Sequence, residues 1–332
     1  MKSLIKKLVE TPGPSGSEYK IREVVRTEVA PFADEVRVDS LGNLIVRKGQ
    51  KAEGGKRIML SGHMDEIGVM ATHIDDNGFV RFINIGGVRP HSCSGGRVIF
   101  MDGTHGVIGS EKIDSPEKVA SLDQLYIDVG ATNRADCPIK VGSVAGFERP
   151  FLDLGNRLVA KSMDNRISVA VMIEALRTMT HTPNEVYFVF SVQEEVGIRG
   201  ATTAAYAVDP DLGLAVDVTA VGDTPKGIRM ALALGKGAAI KVRDSSFIAD
   251  PRIVNWMVES AEKNHIAYQL EVLEAGGTDG HAIQLTRAGV PAGCLSIPAR
   301  YIHSPSEMVD YNDVQAAVRL LVELISNPVV LK

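Results

Sequence analysis

At 332 residues the chain is long for one domain and natural for two, with ample length for a buried core. Hydrophobic residues at 45% and charged residues at 23% describe a globular protein, and a net charge of -5 without any basic block argues against a nucleic-acid partner. No apolar run approaches the ~20 residues of a membrane span, and three scattered cysteines (Cys93, Cys137, Cys294) point to reduced thiols in a cytoplasmic setting.

The N-terminus reads as a helix rather than a signal peptide. Lys2, Lys6 and Lys7 interrupt Leu4, Ile5, Leu8 and Val9, which fall on one helical face. Ile21, Val24, Val25 and Val29 make a second helical stripe, and Leu44–Val46 and Arg57–Leu60 read as strands, the first preceded by the turn Leu41-Gly42-Asn43. From residue 67 to 154 the character changes to short β-rich runs at 68–73, 79–85, 97–101 and 124–129, with turn signals such as Asp75-Asp76-Asn77-Gly78 between them. The α/β pattern then returns. Val169, Met172, Ile173 and Leu176 form a helical stripe, and Val186–Val192 is a continuous apolar strand of buried type. Asp250-Pro251 opens another helix with Asp as N-cap, and Val314, Val318, Leu321 and Ile325 mark a last one. The expected architecture is a doubly wound, mixed-sheet α/β catalytic domain (1–66 and 155–332) carrying a small all-β insertion (67–154). The alternative is two sequential domains, with the first 66 residues folding onto the β unit.

Ser61-Gly62-His63-Met64-Asp65 directly follows a strand, and open α/β sheets bind ligands beyond the carboxyl ends of their strands. His63 and Asp65 are two apart and share a face on an extended chain, so one can ligate a metal while the other orients it. Taken alone, the pattern equally describes a strand-end histidine bonded to its neighbour. Asp164, in Met163-Asp164-Asn165-Arg166, stands where a helix begins. Such an aspartate serves as an N-cap, and it can also turn both oxygens outward to bridge two cations. Glu194 and Glu195 follow a buried apolar strand, where paired carboxylates are costly unless cations or hydrogen bonds compensate them. Adjacent side chains diverge, which suits the two to separate tasks. The short strand 213–219 delivers Asp217, and 293–297 leads to His303. The other six histidines lack this context and read as structural; His281, after a glycine-rich loop, is the least clear of them.

Together these positions supply two histidines, two aspartates and one glutamate as ligands, with Asp65 and Glu194 left over. Imidazole and carboxylate without thiolate suit two divalent ions, zinc or cobalt first and manganese as a further option. Such a pair can polarise a carbonyl and activate water near neutral pH.

In combination and order, these motifs, with Pro12-Gly13-Pro14-Ser15-Gly16 near the start and Tyr301-Ile302-His303-Ser304-Pro305 near the end, resemble those of the tetrahedral, dodecameric metallo-aminopeptidases. Members of that family also carry glutamyl aminopeptidase and endoglucanase labels. The resemblance spans essentially the whole chain. It implies one metal on His63, Asp164 and Asp217 and a second on Asp164, Glu195 and His303, with Asp164 bridging. It further implies Glu194 as general base, Asp65 as the support on the His63 side, dimerisation through the β insertion, and twelve subunits around a chamber. None of the seven positions departs from the pattern.

The expected activity is removal of N-terminal residues from short peptides with a free amine, by water that Glu194 deprotonates. Two rivals stand beside it. A glycosidase needs two facing carboxyls ~5–9.5 Å apart and no metal, and the 5% aromatic content offers few rings to stack on sugars. A metal-stabilised assembly protein without activity would have no use for Glu194.

Overall fold

In the computed structural model, which describes residues 1–113 and 118–332, eleven strands form one mixed sheet and six others close into a small antiparallel barrel. Four strands run parallel through the centre of the sheet, in the order Glu185–Ser191, Arg57–His63, Leu212–Ala220 and Ala292–Arg300. Antiparallel strands flank them: Leu44–Lys48 and Glu35–Val38 on one side, Glu307–Asp310, Arg157–Ala160 and Leu152–Leu154 on the other. Ala238–Arg243 also pairs with Ala292–Arg300 and carries Tyr268–Val272 beside it.

Side chains alternate across the central strands and load both faces. Ile58, Leu60, Val186, Phe188, Phe190, Leu214 and Val216 pack with the helices Lys2–Glu10, Tyr19–Val29, Met163–Thr178 and Tyr311–Ser326. Met59, Val189, Ala215 and Cys294 pack on the other face with Arg199–Val208 and Asp279–Gln284. The sheet is therefore doubly wound, and strands from both ends of the chain hydrogen-bond within it.

The barrel strands all lie between Gly68 and Glu148, around a core that includes Val69, Phe82, Val98, Ile108, Ile127 and Phe147. Two of them were not marked by the sequence pattern. His105–Ser110 carries two glycines, which weaken a strand signal, yet both are required by close packing. A Cβ on Gly106 would stand 2.4 Å from Ile127, and one on Gly109 2.6 Å from the Tyr126 ring. Val144–Glu148, with Gly146 at its centre, is the other.

Among the described residues, no helix is long and apolar enough to cross a membrane.

Candidate metal centre and active site

All four parallel strands point their carboxyl ends to one place. His63 closes its strand, Asp217 lies within Leu212–Ala220, and the chain continues past Ser191 and Arg300 into the loops that hold Glu194, Glu195 and His303. Two corrections to the expected local geometry follow. The glutamate pair is not at a strand end but in a turn beyond it, after Gln193 at φ +56, so the turn rather than strand alternation separates the two carboxylates. Asp164 does not cap its helix. Its own φ/ψ and those of Asn165 are non-helical, Ser162 occupies the N-cap position, and the carboxylate is turned away into the site.

The Asp164 carboxylate stands between the two histidines. Oδ1 lies 3.1 Å from His63 Nε2, and Oδ2 lies 3.3 Å from His303 Nε2. His63 Nε2 is 3.8 Å from Asp217 Oδ1, and His303 Nε2 is 3.3 Å from Glu195 Oε2. Two groups result, His63–Asp164–Asp217 and Asp164–Glu195–His303, and within each the ligand atoms lie within 4.8 Å of one another. Glu194 belongs to neither group, yet its Oε2 is 3.9 Å from His63 Nε2.

Asp65 is fully buried and acts as a hub. Its carboxylate accepts from the Ser15 hydroxyl at 2.6 Å and from the backbone N–H groups of Glu194 and Glu195 at 3.1 and 3.2 Å. His63 Nδ1 lies 3.4 Å from Asp65 Oδ1 and 3.2 Å from the Asp65 carbonyl oxygen, which turns Nε2 toward the ligands. The loop is held throughout: Asn43 Oδ1 accepts from the Val192 N–H at 3.0 Å and Glu18 Oε1 from the Gln193 N–H at 3.2 Å. Four consecutive amides are thus fixed by side chains.

Sequence reasoning missed three acids that support this arrangement. Glu307 accepts the Asp164 N–H with one oxygen and the His303 N–H with the other, both at 2.8 Å. Asp279 Oδ2 accepts from Ser61 at 2.7 Å and Ser191 at 2.6 Å, tying two ligand-bearing strands together. Glu18 is pushed up to about 7 by burial and by the charge of Asp65. The first two lie beside motifs that were noticed, but only the fold brings them under the ligands. His281, the least clear histidine, sits outside the site with Nδ1 2.8 Å from the Ser246 carbonyl oxygen.

Charge in this cavity is far from balanced by protein groups. Burial works against a charged His63, but Asp164 and Asp65 overcome it and raise its pKa well above the ordinary range. His303 is pushed up to about 11, burial again being outweighed by Asp164 and Glu195. Burial raises Glu194 and Asp217 well above the usual carboxylate range, and neighbouring acids add to the effect in both against the opposing charge of His63. Raised values at so many facing groups mark a site whose negative charge a cation can compensate. The donor set is imidazole and carboxylate without thiolate, and Glu195 Oε1 is buried with no hydrogen-bond partner. The residues therefore fit divalent ions of the zinc, cobalt or manganese kind.

A cluster of three carboxylates and two imidazoles at the carboxyl ends of a doubly wound sheet fits metal-assisted hydrolysis. The family model of the M42 glutamyl aminopeptidases matches residues 42–320, and the chain belongs to that family and is a peptide hydrolase. A putative aminopeptidase of Acetivibrio thermocellus is 47% identical over 328 residues, covering 98% of both chains. An aminopeptidase structure from Desulfurococcus kamchatkensis superposes with a TM-score of 0.94 at 40% identity, over 98% of this chain and 94% of that one. The TET1 peptidase of Pyrococcus horikoshii, described as able to assemble into a tetrahedron or a large octahedral shell, gives a TM-score of 0.89 at 33% identity over 98% of each chain.

Proposed function

We propose that the chain is a dinuclear metal-dependent aminopeptidase that removes N-terminal residues from short peptides. One observation carries the reading: the Asp164 carboxylate presents a separate oxygen to each of two histidines, each of which has its own further carboxylate. His63, Asp164 and Asp217 would hold one divalent ion, and Asp164, Glu195 and His303 the other, with zinc or cobalt preferred and manganese a third option. Bound there, two such ions supply Lewis acidity and an acidified water near neutral pH.

The chain's own groups supply the rest. Glu194 is free of both triads and fixed by its N–H bond to Asp65, so its carboxylate can take a proton from the attacking water and give it to the leaving amine. Asp65 orients His63 from behind. Glu307 holds the backbones of Asp164 and His303, which fixes the shared aspartate relative to the histidine of the second triad. We further assign residues 67–154 as an inserted dimerisation module, with dimers assembling into a dodecamer. Net charge and reduced cysteines favour a cytoplasmic enzyme without a nucleic-acid or membrane partner.

Hydrolysis of a panel of aminoacyl-nitroanilides should vanish on chelation and return with cobalt, zinc or manganese, while N-acetylated peptides resist cleavage. Full activity in protein found metal-free by elemental analysis would sink the proposal. Chelator-resistant cleavage of a cellulose oligomer would instead revive the glycosidase reading.

A further inference from the structure

The barrel strand Val80–Ile85 runs into Gly86 and Gly87, and these two residues press directly on the second ligand triad. A Cβ on Gly87 would stand 2.2 Å from His303 Nδ1 and 2.6 Å from its Cε1, and one on Gly86 would stand 3.0 Å from Glu195 Oε2. The two glycines are required for different reasons. Gly86 has φ +71, a left-handed conformation that favours glycine. Gly87 is outside that region, so its backbone would accept alanine and only the imidazole forbids a side chain. The turn is anchored from the barrel side: the Gly86 carbonyl accepts from the Asn84 amide at 2.7 Å and from the Val88 N–H at 3.0 Å, and Val88 is buried in the barrel core.

We propose that Gly86-Gly87 is a positioning element for His303 and Glu195, contributed by the barrel segment to a centre otherwise built on the α/β sheet. His303 needs such a support. It sits on an irregular loop at φ +62, its side chain retains 28% of its accessibility, and its backbone is tied by the Glu307 carboxylate while the ring itself is placed by what it packs against. The ring presents Nε2 to Asp164 and Glu195 and rests its Nδ1 edge on Gly87. A methyl group there drives the ring away from both carboxylates. The inference rests on the ligand assignment for the consequence to metal binding, but the packing of the ring on Gly87 can be tested without any metal.

The experiment compares Gly87→Ala with the wild type, in the wild-type and the His303→Ala background, and with Gly95→Ala as a barrel control. Gly95 has φ +74 with nothing within 4 Å of its Cβ position, so it reports backbone strain in the barrel without contact. In metal-free protein, Gly87→Ala should lower the thermal midpoint when His303 is present and leave it unchanged when His303 is alanine, because the clash partner is gone. In zinc-titrated protein, Gly87→Ala should keep one site and weaken the other about 10–100-fold, the usual range for groups that orient a ligand, while Gly95→Ala binds as wild type. An equal loss of midpoint in both backgrounds, or two full-affinity sites in Gly87→Ala, would overturn the inference. Wild-type protein that binds no zinc would instead overturn the functional reading, a distinguishable failure.

Discussion

Replacing Glu194 with glutamine is expected to lower turnover by roughly 10²–10⁴, the contribution of a positioned general acid–base group, with both metals still bound. The reason is its place in the cavity. Glu194 lies outside both triads, while its neighbour Glu195 has one oxygen 3.3 Å from His303 and the other buried and unpartnered. Glutamine keeps the volume of Glu194 and cannot take a proton, so chemistry suffers and metal content does not. Glu195→Gln should behave oppositely, losing affinity for one metal and recovering part of its activity when metal is added. Turnover and metal stoichiometry measured on both variants separate the roles. Loss of a metal from Glu194→Gln with both retained in Glu195→Gln would mean the assignments are exchanged.

Asp65→Ala is expected to damage stability as much as activity. The substitution removes the acceptor for the Ser15 hydroxyl and for two backbone N–H groups, and leaves the raised-pKa His63 without its buried carboxylate. Breaking a buried charge pair in this way costs about 3–5 kcal/mol. The pH dependence has a definite sign. Burial opposes the charged form of Asp65, but His63, Ser15 and the Glu194 N–H outweigh it and depress its pKa. A carboxylate depressed in the folded state contributes stability above its unfolded value of about 3.9, and that contribution fades as pH falls through the folded value. Denaturant unfolding of the metal-free proteins should therefore give a gap between wild type and Asp65→Ala that is full at pH 7 and shrinks below about pH 4. A gap under 1 kcal/mol at pH 7 would leave Asp65 as a bystander.

The proposed ligands were legible because each sits next to a strand or helix boundary that hydrophobic patterning locates: His63 after Arg57–Leu60, Asp164 before the Val169 stripe, Asp217 within an apolar run. Their local geometry was not. Whether Asp164 caps a helix or faces a cavity depends on the non-helical backbone at 164 and 165, and the separation of Glu194 from Glu195 depends on a turn that Gln193 enters at positive φ. The supports were least visible. Glu307, Asp279 and Glu18 act through partners 88 to 218 residues away more often than through near neighbours. Nothing in the composition of Ile85-Gly86-Gly87-Val88 says that a histidine more than two hundred residues later will rest on it. The glycines of the barrel also hid two of its strands, since the same small residues that weaken a strand pattern are what the close packing of Gly106 and Gly109 requires.

The most direct measurement is anomalous scattering at the zinc edge from crystals of zinc-loaded protein. Two peaks are expected, one among His63, Asp164 and Asp217 and one among Asp164, Glu195 and His303, with a different Asp164 oxygen facing each. A single peak, or two peaks that do not share Asp164, would contradict a dinuclear centre bridged by this aspartate.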